Sequence, residues 1–575
     1  MKRYWKYIRP YIQYYILGPC FMMMEVVGDV LLPYMLAKII NQGIAERNVV
    51  YIIKIGVIMG FIAVIMAVGG VLGAWFASKA AMNFGADLRM DLFEKIQQFS
   101  FQNIDNFSTG SLITRLTNDI TQIQNMIMMT LRMCLRSPGI LIGAMVMAFV
   151  ISPKLAAIFI IVLPVLAVLI VVIMRRAFPQ FRTLQEKLDA LNSCIQEGLV
   201  GIRLIKSFVR GDYEEMRFEK RNQKLKEANL TAMKTMLLYT PLMTLALNIT
   251  TVVVVWSGGN MIVVGNMQVG DLTAFTNYIV QIMSSLTMLS IAFLNWARAI
   301  ASFRRVGEVL DEKIDLTDEN AKHKDRAVCE GSVEFQNVSF RYYKNRPGWV
   351  IENISFKLEA GKTLGIIGPT GSGKSTLVSM IPRLYDTDEG AVLVDGINVR
   401  DYGLKPLQEG IGMVLQNNTL FSGSITENLK WGDEHADEKA VRKAAQNAQA
   451  AGFIDSFKDG YRTRLEQSGN NVSGGQKQRL CIARALLKCP KILILDDSTS
   501  AVDTATERAI REALHSEYKD MTKIIIAQRI RSVMDADEIL VLDNGKTAGF
   551  GTHEQLLADC PVYREIYDVQ NGREE

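Results

Sequence analysis

With 575 residues the chain is too long for a single hydrophobic core, so two or more domains are expected. Its composition is 49% hydrophobic and 21% charged, with a mean hydropathy of +0.14, which excludes a uniformly soluble protein. The net charge of +5 is too small to point to nucleic acid, and seven scattered cysteines without a C-x-x-C pair, beside four histidines, exclude a disulfide framework and argue against a structural metal site.

In chain order, Met1–Pro10 is basic and aromatic, and the apolar stretch behind it carries carboxylates and no small-residue cleavage site. It reads as an interfacial helix leading into a retained first span, from about Ile12 to Met35, with Glu25 and Asp29 on one face. A bilayer crossing needs about 20 mostly apolar residues. Ile55–Ser78, Leu155–Met174 and Leu272–Ala297 are uncharged runs of that kind, and Thr235–Gly270 is long enough for a span and a turn near Gly265. A further span starts near Ile120 and ends at Ile151, with Arg132 and Arg136 in its first half. Six spans are expected.

The connections near Asn41–Tyr51, Ser152–Lys154 and Gly265–Asp271 hold only Arg47 and Lys154 as cations, whereas the two longer connections are rich in Lys and Arg. The longer side is therefore expected in the cytoplasm, with both termini, at a cell membrane. These long connections read as helices projecting roughly 30 Å beyond the bilayer. They are expected to be interrupted by polar turns at Gly110–Asn118 and Arg210–Met216, which would touch the soluble half. Charge rises from Arg304 to Arg326, and the division expected is a membrane domain over 1–311, a linker over 312–330 and a soluble domain over 331–575. The fold class expected is an α-helical membrane domain plus an α/β P-loop nucleotide-hydrolysing domain.

The soluble half opens with the alternating run Glu334–Phe340 and the buried-strand pattern Lys362–Ile367. Directly after that strand stand Gly368, Pro369, Thr370, Gly371, Ser372, Gly373, Lys374, Ser375 and Thr376, a full G-x-x-x-x-G-K-[ST] P-loop. Its glycines let backbone N–H groups turn toward phosphates, Lys374 neutralises their charge, and the Ser375 hydroxyl ligates Mg²⁺. Lys491–Asp496 is a second apolar strand ending in a carboxylate, placing Asp496 as a further magnesium ligand. Between them, Ser473, Gly474, Gly475 and Gln476 stand at an expected helix start, an arrangement that offers free N–H groups to an anion.

The order P-loop, Gln416 after an apolar strand, S-G-G-Q, Asp496, and Ser500-Ala-Val-Asp503 resembles the ATP-binding cassette family; six spans before the cassette resemble its exporter branch. The resemblance implies ATP and Mg²⁺ as cofactors and a dimer of cassettes. Each ATP would lie between the P-loop of one cassette and the S-G-G-Q of the other. It further implies an adenine-stacking role for Tyr342, a magnesium-sensing role for Gln416, a role for Asp503 at the catalytic site, and that the two polar turns are coupling helices that dock on the cassettes. The partners implied are a second half-transporter, the lipid bilayer and an amphipathic substrate, drug-like, lipid or peptide.

Three positions depart from the family pattern. Asp497 follows Asp496 where the family's catalytic base is Glu; Asp is one methylene shorter, so its carboxylate sits about 1.5 Å back from the attacking water. Gln528 replaces the switch histidine in Ala527-Gln528-Arg529, and Gln467 stands where many exporters carry Glu. With the P-loop and S-G-G-Q intact, this combination resembles the slow-site subunit of heterodimeric bacterial exporters. A homodimeric exporter and a regulatory subunit with little hydrolysis are the alternatives. Glu25 and Asp29 would either meet a cation in a cavity or pair with neighbours, and Arg132 and Arg136 are expected to snorkel at the cytoplasmic boundary.

Overall fold

The computed structural model describes residues 2–344, 348–497 and 502–570. They form two compact units: Met1–Gln97 with Thr109–Asp311, and Gln98–Ser108 with Glu312–Glu575.

The first unit is helical throughout. Among the described residues five helical segments are long and apolar enough to cross a membrane: Trp5–Ile44, Val49–Gln97, Thr109–Ile151, Pro153–Val200 and Gly211–Val263. The remaining expected span, Leu272–Ala297, lies inside the continuous helix Val269–Asp311. Helix Ile12–Lys38 and helix Val49–Gln97 approach closely through small residues: a Cβ built on Gly73 would lie 3.1 Å from the Gly18 carbonyl oxygen and 2.5 Å from Met22 Cε. Backbones can come this near only where side chains are absent, which is how helices pack when the solvent is itself apolar. Gly265, at φ +83°, ends helix Tyr239–Val263, its N–H donating to the Ile262 carbonyl (2.9 Å) while Asn266 donates to Met261 (2.8 Å).

Two sequence expectations are corrected here. The polar stretch Gly110–Asn118 is not a turn. Thr109–Thr114 is α-helix and Arg115–Asp119 continues it as a π-helical turn. The Thr114 and Thr117 hydroxyls donate to the carbonyls of Gly110 (2.9 Å) and Ile113 (2.8 Å), so these polar residues satisfy themselves on the helix. The chain reverses earlier, at Gln98–Ser108, where Ser100 and Asn103 form a reciprocal capping box on the short helix Phe101–Asp105. Likewise Gly211–Leu237 is already helix, and the second break falls at 208–210, after helix Ile202–Ser207, with Val209 at φ 52°.

Arg136 does not snorkel. Its Nη2 donates to Glu25 Oε1 (2.8 Å) and Asp29 Oδ2 (3.3 Å), tying helix Arg136–Ile151 to helix Ile12–Lys38, so the two carboxylates pair with a neighbour. Charges at such sites are costly unless paired, and one guanidinium serves both.

In the second unit, residues 312–330 carry no helix or strand beyond an isolated bridge between His323 and Tyr402, and Asp318 Oδ1 accepts from Leu404 N (3.0 Å). The main sheet has six strands in the order Lys546–Gly551, Glu538–Asp543, Thr363–Ile367, Thr522–Ile526, Ile492–Asp496, Ile411–Val414. All but the first pair are parallel. Its central strands are apolar on both faces, with Leu364, Ile366, Ile492, Ile494 and Ile524 buried on one and Ile367, Leu493 and Leu495 on the other, as a parallel sheet covered on both sides requires. A second, antiparallel sheet joins Val333–Phe340 to Ile351–Leu358 and Glu389–Val394.

Candidate nucleotide site

The parallel sheet brings three loops together at the carboxyl ends of neighbouring strands, the place where open α/β sheets bind ligands. Strand Thr363–Ile367 ends in the P-loop, strand Ile492–Asp496 ends at Asp496 and Asp497, and strand Thr522–Ile526 ends just before Gln528. In the loop, Gly368 and Gly373 hold φ values of +153° and +92°. A Cβ on Gly368 would sit 2.0 Å from the Leu542 carbonyl oxygen, and one on Gly373 would sit 2.9 Å from that of Val350. Only glycine fits either position.

Lys374 Nζ folds back onto its own loop, donating to the carbonyls of Gly368 (2.8 Å) and Pro369 (2.7 Å). Burial lowers its pKa, and Asp497 and Asp496 oppose that shift. The Ser375 hydroxyl donates to Asp496 Oδ1 at 2.9 Å. Asp496 is buried, which raises its pKa; the Ser375 hydrogen bond and Lys374 counter the rise, and Asp497 adds to it. A hydroxyl and a carboxylate side by side form an oxygen donor pair suited to a hard cation that takes its remaining ligands from water and phosphate. Among the described residues no group of three or more His, Cys, Asp or Glu side chains gathers into an all-protein metal cage.

Asp497 stands at φ 47°, a left-handed backbone conformation beyond the strand end. Its Oδ2 accepts a 2.8 Å hydrogen bond from Gln528 Nε2. Burial raises the Asp497 pKa, and the Gln528 bond, Lys374 and a weaker contact from Gln416 pull it back. The two positions where the chain departs most from the family pattern thus touch each other.

Tyr342 packs edge-to-face on Phe340 (5.0 Å) and Tyr385 (5.3 Å), with its hydroxyl 2.9 Å from Thr376 Oγ1, whereas Tyr343 is exposed. Ser473 N-caps helix Gly474–Leu487 in a capping box: its Oγ accepts from Gln476 N (3.3 Å), and Gln476 Oε1 accepts from Ser473 N (2.9 Å). Gln476 is therefore engaged in the cap, which leaves the N–H groups of Gly474 and Gly475 at the helix start. Asp503 caps helix Thr504–Glu517, accepting from Thr506 N (2.9 Å) and Thr506 Oγ1 (2.7 Å), and these bonds lower its pKa. Ser500 and Ala501 lie outside the described residues. In the single chain the P-loop, Asp496, Asp497, Gln416, Gln528 and Tyr342 form one cluster, while Ser473 and Gln476 are engaged with each other in their own helix cap.

Sequence reasoning missed Tyr385 and the segment Gln98–Ser108. The Tyr385 hydroxyl donates to Asp105 Oδ2 at 2.9 Å and its ring lies 6.0 Å from Phe101, so Tyr385 touches both Tyr342 and the short helix Phe101–Asp105. The S-x-x-N capping pattern at Ser100–Asn103 was the available signal for that helix.

Two family models match the chain: "ABC transporter transmembrane region" over residues 15–286 and "ABC transporter" over residues 351–500. An uncharacterized ABC transporter ATP-binding protein of Bacillus subtilis (strain 168), YfiB, is 39% identical over 100% of this chain and 99% of its own length. The chain belongs to the ABC transporters. It fuses a transmembrane domain to an ATP-binding domain, as that family's half-transporters do. YgaD of the same Bacillus strain, whose name proposes an ATP-binding/permease protein for multidrug export, is 32% identical over 99% of each chain. The solved structure of a bacterial Atm1-family ABC exporter with ATP bound superposes with a TM-score of 0.81 over 98% of both chains at 24% identity, which gives this ABC transporter the exporter fold.

Proposed function

We propose that this ABC transporter is one subunit of a heterodimeric exporter in which its own P-loop site binds ATP and hydrolyses it slowly. The observation that carries this reading is the Gln528–Asp497 hydrogen bond. A glutamine amide can donate to the carboxylate but cannot take up a proton, and the carboxylate it holds is already one methylene short of the attacking water. Intact phosphate-binding geometry beside an impaired base is what a binding-competent, slow site needs.

In this assignment Lys374 and the loop N–H groups of residues 368–376 hold the β and γ phosphates. Ser375 and Asp496, with Gln416, hold Mg²⁺, which would neutralise the phosphate charge. Tyr342 stacks on adenine. Ser473, Gly474 and Gly475 complete the site built on the partner's P-loop, with Gln476 and Asp503 holding the starts of their helices in place. Closure of the two cassettes would switch the spans between inward and outward access at a bacterial cell membrane, moving amphipathic compounds outward. The multidrug-export name of YgaD supports that substrate class. The reading is tested by purifying the tagged chain from the membranes of its own cells and identifying by mass what copurifies; recovery of this chain alone, as a dimer with full hydrolysis, would sink it.

Asp497→Glu restores carboxylate reach but leaves Gln528 in place, so own-site hydrolysis should rise only a few-fold. Single-turnover hydrolysis at that site reads it, and a rise to fully active rates from this one change would show that reach alone was limiting. Tyr385→Phe removes the hydroxyl that donates to Asp105 and leaves the ring against Tyr342. One lost hydrogen bond to a charged group is worth about 1.5–3 kcal/mol, discounted here because the pair is exposed. We expect transport to fall several-fold with ATP affinity and hydrolysis unchanged; equal losses in transport and hydrolysis would remove Tyr385 from the coupling path.

A further inference from the structure

Away from the nucleotide site, a cavity of about 730 Å³ lies between helix Thr504–Glu517, strand Thr522–Ile526 and the 531–536 loop. Four cationic side chains line it, Arg508, Arg511, Lys523 and Arg531, against the carboxylates of Glu512 and Asp535. Arg508 Nε is bonded to Glu512 at 2.9 Å and Arg511 Nη1 to Asp535 at 3.3 Å, so each acid is already engaged by one arginine.

Among the described residues one buried donor atom at this cavity, Arg511 Nε, lacks an acceptor, and the lysine beside it has no bonded partner. Lys523 is 5% exposed as a residue, and among the described residues no hydrogen bond or ion pair holds its ammonium; Asp537 and Asp520 act on it only through space, and Asp537 is bonded to Lys362 and to Thr363 N. Arg511 Nε is fully buried and unpartnered. A lysine in so buried a position is costly unless an anion meets it, and burial accordingly lowers the Lys523 pKa, Asp537 and Asp520 opposing. The volume is that of a small-molecule site.

We propose that this cavity is a regulatory site for a small phosphate-bearing polyanion, held by Lys523 and Arg511. The route to the nucleotide site is short. Arg511 also lines an adjoining cavity of about 810 Å³ that contains Asp497 and Gln528, and its Nη1 donates at 2.6 Å to the Arg531 carbonyl, three residues beyond Gln528. An anion that draws Arg511 toward Lys523 loosens that hold and lets the segment bearing Gln528 shift, releasing Asp497. The binding claim stands apart from the heterodimer reading, because it is measured with hydrolysis unnecessary.

The test is calorimetric titration of inorganic pyrophosphate onto the full chain in detergent, with the P-loop saturated by Mg·ADP and free Mg²⁺ held constant. One pyrophosphate per chain should bind, and Lys523→Met should weaken it by roughly tenfold or more, the worth of one hydrogen bond to a charged group. Arg511→Gln should weaken it to a similar degree, and this second variant decides the matter if Lys523→Met does not fold. Lys374→Ala should leave this binding intact. Absence of binding at millimolar pyrophosphate, affinity unchanged by both variants, or loss of binding in Lys374→Ala would each overturn the proposal.

Discussion

Expressed alone, this chain should hydrolyse ATP at a rate 10²-fold or more below that of its assembly with a partner that carries Glu after its own magnesium-binding Asp. A positioned general base is worth about 10²–10⁴ in rate. Here the candidate base is Asp497, short by one methylene and bonded at 2.8 Å to Gln528. To reach a γ-phosphate, Gln528 would first have to leave that carboxylate, and on arrival it would bring no positive charge. The raised pKa of Asp497 has a further consequence. With its pKa above the ordinary carboxylate value, the base loses its charge at a higher pH than an exposed Asp does, so what own-site activity exists should fall earlier on acidification. The measurement is steady-state hydrolysis by the single chain and by the co-expressed pair, at equal cassette concentration. Robust turnover by the single chain, with a homodimer in solution, would refute the division of labour.

The cassette was legible in the sequence because its chemistry is local. A P-loop needs a strand before it and a helix after it within a dozen residues, and Thr363–Ile367 and Lys374–Ser379 supply both. The contact between Asp497 and Gln528 spans 31 positions and no motif announces it. It follows from sheet register: Ile526 pairs with Asp496 in parallel, so the residues just beyond these two strand ends become neighbours. The break at Gln98–Ser108 was misplaced for another reason. Gly110, Thr114 and Thr117 look like turn residues in one dimension, but a threonine whose hydroxyl bonds back to the carbonyl four residues earlier sits in a helix at only a slight cost. Arg136 shows the same limit in the membrane half, since hydropathy weighs each helix alone, whereas its two carboxylate partners lie on another helix.

The largest separation is expected between two substitutions on this one chain. Gly474 opens helix Gly474–Leu487, and Ser473 caps it, so the N–H groups there point out of the helix start with nothing in the helix to receive them. In the proposed dimer they complete the turnover site on the partner's P-loop. Donors aimed at developing charge are worth about 2.7–4 kcal/mol each in other enzymes, on the order of 10²–10³ in rate. Gly474→Asp adds a carboxylate against the γ-phosphate as well, so hydrolysis by the heterodimer should be nearly abolished. Lys374 belongs to the slow site, where it rests on the Gly368 and Pro369 carbonyls. Lys374→Ala should weaken nucleotide held there and reduce transport while leaving a measurable hydrolysis rate from the other site. Both variants are compared in the same heterodimer at saturating ATP. If Lys374→Ala costs as much as Gly474→Asp, the sites are not divided in this way, and a symmetric pair of this chain becomes the better description.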